Sequence, residues 1–368
     1  MSVPAVPFLD LRSGDDAADV RAAIDRVIAS GWFVLGPEVE AFEAEFAAAS
    51  GARFAVGVGN GTDALTLLLR AADIGPGDEV IVPALTAAFS AMAVLAAGAQ
   101  PVFADLDPAR LTLDPGACEA VITPRTRAIM PVHLYGQAAD VPALRALADS
   151  HSLLLVEDCC QAHLATCAGV PVGTTGFGGA FSFYPTKNLG ALGDGGAMIT
   201  NDAAVAERLR RLRNGGQRER YQHDEPGLNS RLDELQAAVL RARLPRLAAQ
   251  TARRRAIAAE YRRTLPAWLP PVAHVDGGHV YHLFPVRSSD RDALQRHLHA
   301  AGIDTLVHYP LALTEQRAFA SPTPAPCPVA ERAAREVLSL PMRPGLSDAD
   351  VAAVVEAAHS FQKGRVHA

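Results

Sequence analysis

The sequence lacks the features that build disulfide or metal-stabilised scaffolds. Its 368 residues include five cysteines, an odd number, and no pair has the C-x-x-C spacing of a zinc or redox motif. A chain of this length buries enough apolar surface to fold without such cross-links. We therefore expect the cysteines, including the adjacent Cys159 and Cys160, to be small buried side chains, and we expect no metal site.

The sequence also lacks an excess of positive charge and long uninterrupted apolar runs. The net charge of −6 argues against a general nucleic-acid or membrane-surface binder, although it leaves room for a local basic pocket. The long uncharged stretch 80–104 is broken by Pro83, Gly98 and Pro101, so it predicts strand, helix and strand inside a core. The amino terminus lacks the basic start and apolar run of a signal peptide, so we expect a cytoplasmic protein.

Short apolar runs alternate with helical patterns over the first two thirds of the chain, which is typical of an α/β domain. Several runs are apolar throughout, as expected for strands buried on both faces of a parallel sheet. The predicted strands are 54–58, 79–82, 101–104, 128–132, 153–156, 179–183 and 197–200.

A long helix is predicted to follow Asn229. Ser230 is its expected N-cap, Asp233 would close a capping box, and Pro245 interrupts it. The proline-rich stretch 265–272 then predicts a linker.

A smaller α+β unit follows this linker. Its predicted elements are a strand at 280–286, a helix capped by Ser289 and Asp292 that ends at Gly302, a strand at 303–307, a proline-rich loop at 321–328, and a last helix capped by Ser347 and Asp350. We therefore predict an N-terminal segment (1–30) that packs on the small domain, a large α/β domain (31–250) and a small C-terminal domain (251–368).

Three segments carry candidate chemistry. The first, GVGNGTDALTLLL, follows a strand and opens a helix near Thr62, and a helix N-terminus is a ready phosphate site. Its GxGxG spacing is one residue short of a dinucleotide fingerprint, so a plain glycine turn explains it equally well. The second, LLLVEDCCQAH, places Glu157 and Asp158 where a strand ends, and open α/β sheets bind ligands there. Either acid is also compatible with a surface or capping role.

The third segment, AFSFYPTKNLGALGDGGAMIT, is the most informative. Lys187 lies between an apolar strand and a glycine-rich loop, and a lysine is costly to hold near a core unless it has a function. A low-dielectric surround depresses the pKa of an amine, as a Schiff-base lysine requires. The alternative is an exposed loop lysine, which the apolar flanks disfavour.

Taken together, these segments resemble the DegT/StrS family of pyridoxal-phosphate (PLP) dependent sugar aminotransferases, which share the aspartate-aminotransferase fold. The resemblance runs from GWFVLGPEVEAFE to VLSLPMRPGLSDADV, and its most specific matches are VEDCCQAH, FSFYPTKNLGALGDGGA, NSRLDELQAA and VHYP. It implies PLP fold type I: a large domain with a mostly parallel seven-stranded sheet and a smaller C-terminal domain.

The resemblance also implies roles for individual residues. Lys187 would bind PLP as a Schiff base, Asp158 would keep the pyridine nitrogen protonated, and Gln161 would hydrogen-bond the ring hydroxyl. The cofactor site would be completed by Gly61, Thr62, Thr86, Ser182 and, from a neighbouring subunit, Asn229. The sugar pocket would be lined by Tyr184, His308 and Tyr309.

The implied reaction moves an amino group from L-glutamate to a nucleotide-linked keto-sugar in a homodimer with shared active sites. NSRLDELQAAVLRARL and LRNGGQRERYQH look more like enzymes that aminate C3 of a dTDP-3-keto-6-deoxyhexose. Relatives acting at C4 of dTDP- or UDP-4-keto sugars more often have a tyrosine where Ser230 stands. Among arginines 210, 211, 213, 218 and 220, most are expected to be solvated, and one or two are candidates for the sugar diphosphate.

The chain departs from the family pattern at a few positions. Ala87 stands where relatives often carry a ring-stacking aromatic residue, and Phe89 or an aliphatic face would take its place. Cys159 and Cys160 replace small residues, and Leu164 replaces a glycine.

Three other classes of protein remain open as alternatives. A PLP-dependent sugar dehydratase would carry histidine at the Lys187 position. A nicotinamide-dependent oxidoreductase built on the glycine turn leaves the Lys187 segment unexplained. A PLP-binding regulator without turnover would retain the same residues.

Overall fold

The computed structural model describes residues 5–12, 14–319 and 325–366. Residues 1–4 of the predicted N-terminal segment and 321–324 of the predicted proline-rich loop lie outside the described residues. The strands are β1 Phe54–Val58, β2 Glu79–Pro83, β3 Gln100–Ala104, β4 Thr126–Ile129, β5 Leu154–Asp158, β6 Thr166–Cys167, β7 Val170–Pro171, β8 Gly178–Ser182, β9 Gly196–Thr200, β10 Gln217–Glu219, β11 Gln222–His223, β12 Phe284–Arg287 and β13 Val337–Leu340.

The α-helices are α1 Ala17–Ser30, α2 Pro37–Ala49, α3 Gly61–Ala71, α4 Phe89–Ala97, α5 Pro115–Ala120, α6 Val141–Ser150, α7 Ala203–Leu212, α8 Glu234–Arg243, α9 Leu247–Thr264, α10 Arg291–Ala300, α11 Pro328–Glu336 and α12 Asp348–Val366. Short 3-10 turns lie at Leu134–Gly136, Leu244–Arg246, Leu313–Glu315 and Arg317–Phe319. No helix within the described ranges is both long enough and apolar enough to cross a bilayer.

All seven strands predicted for the large domain form one sheet, in the order β1-β9-β8-β5-β4-β2-β3. The run β3-β2-β4-β5-β8 is parallel, and β9 pairs antiparallel with both β8 and β1. The predicted fold class, a mostly parallel seven-stranded α/β sheet, is thus confirmed. Its strands are largely buried because helices cover each side, which explains the apolar runs in their sequences.

The sheet determines where the candidate site lies. Asp158 is the last residue of β5 and pairs in parallel register with Ala180 of β8. The carboxyl ends of these two strands therefore meet at one edge, where Ser182 ends β8 and the loop carrying Lys187 begins.

The capping box predicted at Ser230 is wrong. Helix α8 begins four residues later, at Glu234. The Ser230 hydroxyl instead accepts a hydrogen bond from the Gly59 N–H at 3.0 Å and donates to Asp63 at 2.5 Å. Ser230 therefore connects the segment before α8 to the glycine turn and to the first turn of α3. The local sequence does not reveal this long-range contact.

The small domain differs from prediction in its strands. The predicted strand at 280–286 is shorter, β12, and it pairs antiparallel with β13, which the sequence analysis missed. The predicted strand at 303–307 forms only isolated bridges, through Ile303 to Val6 and through Leu306 to Ser339. The bridge from Val6 brings the start of the N-terminal segment onto the small domain, whereas α1 packs on α8 through buried Val27 and Ala238.

Two predicted helix starts in the small domain have different outcomes. Helix α10 begins at Arg291, and the Asp290 N–H donates to Ser288 rather than to the predicted Ser289. At α12 the predicted capping pair is confirmed, because Ser347 and Asp350 each accept a hydrogen bond from the other's backbone N–H.

Candidate active site

Asp158 is held with its carboxylate fixed at the end of β5. It is 4% exposed. One oxygen accepts a hydrogen bond from the Ser90 hydroxyl at 2.7 Å, and the other accepts from the Cys160 N–H at 3.0 Å. The side chain is therefore oriented before any ligand arrives, as a carboxylate that must face a cationic ring nitrogen requires. Sequence analysis missed Ser90, whose partner lies 68 residues away.

Gln161 connects the end of β5 to the small domain. Its amide nitrogen donates to the Tyr309 hydroxyl at 3.1 Å, and its amide oxygen accepts from the Tyr135 N–H at 2.8 Å. The Tyr135 hydroxyl donates to the His308 carbonyl at 2.6 Å. Gln161 thus contacts the predicted sugar-pocket residue Tyr309 directly and is connected to the other, His308, through Tyr135, which sequence analysis did not single out.

Gly61 begins α3 in a space that excludes any side chain. A Cβ built there would lie 2.7 Å from Cys160 Sγ and 2.9 Å from Ser182 Cβ. The α3 N-terminus thus stands directly against the end of β8, and its backbone N–H groups are available to an anion. Thr62 lies in the same first turn, while Thr86 is 1% exposed after β2.

Lys187 is half-buried in the loop after β8, and its backbone N–H donates to the Tyr184 carbonyl at 2.8 Å. Burial lowers the pKa of its amine below the ordinary value, although the nearby acidic groups of Cys160 and Asp158 act in the opposite direction. The side chain lines a cavity of about 790 Å³ together with His308. A lysine with a depressed pKa at a cavity is the arrangement that Schiff-base chemistry needs.

Histidines around Lys187 are neutral. His163 is fully buried, its Nε2 lies 2.9 Å from the Ser182 carbonyl, and burial followed by the Lys187 charge lowers its pKa to about 3. The same two causes lower the pKa of His308 to about 4. These rings therefore serve as uncharged structural and contact groups at physiological pH.

Within the part of the chain that the structure describes, one buried cluster has donor atoms that could bind a metal: His133, Glu157 and Cys159. Protein groups already use the first two. His133 lies 3.0 Å from a Glu157 oxygen and accepts from the Ala139 N–H, and Glu157 also accepts from the Gly173 N–H at 2.8 Å. The cluster is thus a hydrogen-bonded support beneath Asp158.

Two predicted site residues have exposed side chains within the single chain. Asn229 is exposed beside Asn214, with which it forms an isolated bridge. Tyr184 is 51% exposed. Phe89, a candidate to replace the missing ring-stacking residue at Ala87, is 60% exposed at the start of α4.

The predicted arginines divide between structural and exposed positions. Arg213 is buried, and its guanidinium donates to Glu43 and to the Gly57 carbonyl. Arg218 and Arg220 are exposed on or beside the β10–β11 hairpin.

Comparison with known proteins identifies the family of the chain. The model of the DegT/DnrJ/EryC1/StrS aminotransferase family matches residues 15–359. The dTDP-3-amino-3,4,6-trideoxy-alpha-D-glucose transaminase of Streptomyces venezuelae is 52% identical over 97% of this chain and 96% of its own. The UDP-N-acetyl-3-dehydro-alpha-D-glucosamine 3-aminotransferase of Acidithiobacillus ferrooxidans is 46% identical over 95% of this chain and 96% of its own. The crystal structure of S. venezuelae DesV in complex with a ketimine intermediate superposes with a TM-score of 0.94 at 49% identity, covering 98% of this chain and 99% of that one.

The chain belongs to the DegT/DnrJ/EryC1/StrS aminotransferase family. It is an aminotransferase with the PLP fold type I architecture, and its cofactor is PLP. The residues present fit this cofactor: the fixed Asp158 carboxylate, the half-buried Lys187 amine, and the Gly61 backbone, which leaves space where a side chain would clash.

Proposed function

We propose that this enzyme transfers an amino group from L-glutamate to C3 of a dTDP-linked 3-keto-6-deoxyhexose. The observation that carries the chemistry is the depressed pKa of Lys187 beside the fixed Asp158 carboxylate. The substrate class rests on the relatives, since both the S. venezuelae and the A. ferrooxidans enzymes are named for amination at position 3.

The site residues have distinct proposed tasks. PLP supplies the electron sink that stabilises negative charge on the amino-bearing carbon. Asp158 holds the pyridine nitrogen protonated, and the backbone at Gly61 with Thr62 and Ser182 holds the phosphate. The Lys187 amine, once released from the cofactor, carries a proton to and from the reacting carbon.

The position of Ser230 supports amination at C3 over C4. Its side chain is 3% exposed and lies between Gly59 and Asp63. A tyrosine, which relatives acting at C4 more often carry here, would have to displace the glycine turn. The backbone proposed to hold the cofactor phosphate would move with this turn. The orientation in which the site accepts the sugar ring would then change as well.

We further propose a cytoplasmic homodimer in which Asn229 reaches the partner's cofactor site. Asn229 is exposed within the single chain. Large apolar side chains are exposed as well, including Trp32, Phe33, Phe89 and Leu192. The arginines beside the β10–β11 hairpin are close in sequence to Asn229, so they would reach the partner's diphosphate site in the same assembly.

A substrate panel tests the proposed reaction. The purified protein with PLP and glutamate is incubated with dTDP-3-keto, dTDP-4-keto and UDP-3-keto sugars, and kcat/KM is measured for each. We expect the dTDP-3-keto-6-deoxyhexose to be aminated fastest, with NMR of the product placing nitrogen on C3. Faster amination of a 4-keto sugar would overturn the position, and faster reaction of the UDP sugar would overturn the nucleotide.

Covalent labelling tests the role of Lys187. Borohydride treatment of the holoenzyme should leave the pyridoxyl mass on the peptide that contains Lys187, because reduction fixes the Schiff-base linkage. Lys187→Ala should abolish both the label and transamination. A label on any other lysine would remove the assignment.

A further inference from the structure

The two residues proposed to line the sugar pocket in the small domain belong to a closed ring of hydrogen bonds. Gln161 donates to the Tyr309 hydroxyl at 3.1 Å and accepts from the Tyr135 N–H at 2.8 Å. The Tyr135 hydroxyl donates at 2.6 Å to the carbonyl of His308, the residue before Tyr309. The ring therefore joins two residues of the large domain to two consecutive residues of the small domain, and Tyr135 takes part in two of its three hydrogen bonds.

The Tyr135 hydroxyl anchors the backbone of this part of the small domain. The chain is held at Leu306, which is bridged to strand β13, and again at Leu313, whose N–H donates to a carbonyl of the large domain at 2.7 Å. Between these two points, at residues 307–311, the described part of the chain gives the backbone one hydrogen bond, the bond from Tyr135. The positions of the two pocket side chains therefore depend on this hydroxyl as well as on their own ring contacts.

Tyr135 has the properties of a permanent hydrogen-bond donor. Its side chain is 1% exposed, and burial, with a smaller effect of the nearby Tyr309, raises the pKa of its hydroxyl, so the group stays protonated. Its backbone has a left-handed φ of 62°, where a tyrosine is strained and a glycine is not. The fold thus holds a tyrosine at a costly position, which indicates a function for its side chain.

The residues that Tyr135 anchors lie beside the catalytic groups. His308 lines the same cavity as Lys187. Tyr309 is close enough to Asp158 for that carboxylate to raise its pKa, after the larger effect of burial. Tyr135 is almost fully buried behind them, so it can affect a bound ligand through these two residues.

We propose that Tyr135 is a positioning residue for the sugar: its hydroxyl holds the His308–Tyr309 backbone so that both side chains meet the sugar ring of the keto substrate. The inference rests on the proposed transaminase function and assigns Tyr135 no contact with the substrate. The backbone N–H of residue 135 holds Gln161 whatever the side chain is. Removing the hydroxyl should therefore loosen the sugar pocket and leave the proposed cofactor contact of Gln161 in place.

Equilibrium binding to the holoenzyme tests this role without turnover. dTDP-glucose has no ketone, so isothermal titration calorimetry can compare its affinity with that of dTDP, and the ratio measures the contribution of the sugar. We expect the parent to bind dTDP-glucose more tightly than dTDP. Tyr135→Phe should reduce the ratio by about fivefold, while its affinity for dTDP stays within about twofold. An unchanged ratio in the variant would overturn the proposal. A parent that gains no affinity from the sugar would contradict the proposed substrate and this inference with it.

The two half-reactions give an independent measurement. Stopped-flow absorbance follows the glutamate half-reaction, which uses only the amino acid, separately from the keto-sugar half-reaction. Tyr135→Phe should lower kcat/KM about tenfold for the keto-sugar and change it less than about twofold for glutamate. The absorbance spectrum of the bound cofactor should match that of the parent, because Gln161 remains held. Equal losses in both half-reactions, or a shifted spectrum, would overturn the proposal.

The matched control is Tyr261→Phe. Tyr261 is also fully buried, and its hydroxyl donates to a backbone carbonyl, that of Pro341, at 3.0 Å, but it does not line the Lys187 cavity. Both variants should lose a similar amount of stability in urea, and only Tyr135→Phe should lose sugar affinity. The same loss of sugar affinity in Tyr261→Phe would make it a consequence of lower stability and overturn the positioning role. A parent that aminates no keto-sugar contradicts the proposed function itself, whereas an active parent with an unaffected Tyr135→Phe contradicts this inference alone.

Discussion

At the scale of single residues, the site separates groups that hold charge from groups that stay neutral. Burial lowers the pKa of His163 to about 3 and of His308 to about 4, and burial raises the pKa of Tyr309 to about 12. None of these side chains changes charge between pH 6 and pH 9. The Lys187 amine, whose pKa is lowered toward this range, is therefore left as the proton carrier that the proposed reaction requires.

Asp158 provides the sharpest test at this scale. Asp158→Asn should keep the fold, because an amide oxygen can still accept the hydrogen bonds from Ser90 or Cys160. It should lower kcat by about 100-fold or more, because a neutral amide does not stabilise a protonated ring nitrogen. Steady-state kinetics with circular dichroism as the control for folding measure both effects. Near-normal turnover would place the electron-sink role elsewhere.

The neutral His163 ring also predicts a pH dependence of stability. Its pKa is about 3 in the folded protein, well below the ordinary histidine pKa of 6.5 that it has in an unfolded chain. Between these values the unfolded state binds the extra proton, so stability falls as pH is lowered from 6.5 toward 3. His163→Gln should reduce this slope by up to about 1.4 kcal/mol per pH unit.

Urea unfolding of the holoenzyme at several pH values measures that slope. The control is His151→Gln, since His151 is exposed after α6 and its loss should leave the slope as it is. An unchanged slope in His163→Gln would mean that the buried ring does not contribute to the acid sensitivity.

At the scale of elements, the sequence predicted secondary structure most reliably where burial of an element leaves an apolar run in its own residues. All seven strands of the large sheet were located because each contains a short apolar run. The proposed cofactor residues Asp158 and Ser182 lie where those strands end, so their proximity followed from topology. Partners such as Ser90 and Tyr135 could not be predicted, because their contacts join parts of the chain that are distant in sequence and leave no local pattern.

The wrong predictions at Ser230 and in the small domain have the same cause, namely contacts with residues that are distant in sequence. Ser230 has the composition of an N-cap, but a bond to Gly59, 171 residues away, uses its hydroxyl instead. Strand β13 is four residues long and pairs with β12 about 50 positions earlier. Short strands in the small domain are defined by such pairing more than by their own sequence.

The contact between the start of helix α8 and the start of α2 is predicted to contribute to the stability of the fold. The Glu234 carboxylate at its start is 1% exposed and accepts three backbone N–H groups from the first turn of α2, those of Gly36, Glu38 and Val39 at 2.8–2.9 Å. Glu234→Ala leaves these donors without an acceptor in a buried position. It should therefore lower the free energy of unfolding by about 3 kcal/mol.

Denaturant unfolding measures this loss. Glu234→Gln should lose less, because its amide retains one acceptor oxygen. Glu40→Ala, on the exposed side of α2, is the matched control and should stay within about 0.5 kcal/mol of the parent. A Glu234→Ala protein as stable as this control would show that the three N–H groups find other acceptors.

At the scale of the whole molecule, the proposed site includes one residue, Asn229, that the single chain does not bring to it. The glycine turn, Asp158 and Lys187 meet at one sheet edge, while Asn229 is exposed beside Asn214. Ser230, next to Asn229, is bonded to the chain's own glycine turn. In the proposed dimer, one short segment would therefore position both the turn of its own site and an asparagine of the partner's site.

Mixing two inactive variants tests this arrangement. Lys187→Ala removes the amine from its own site, and Asn229→Asp places a negative charge beside the partner's cofactor phosphate. In a mixed dimer, one site carries both changes and the other carries neither, so one site should work. Random reassortment makes half of the dimers mixed, and activity should return to about a quarter of that of the parent. Each variant alone, taken through the same unfolding and refolding, is the control. No recovery in a mixture that sedimentation shows to contain mixed dimers would mean that each site is built from one chain.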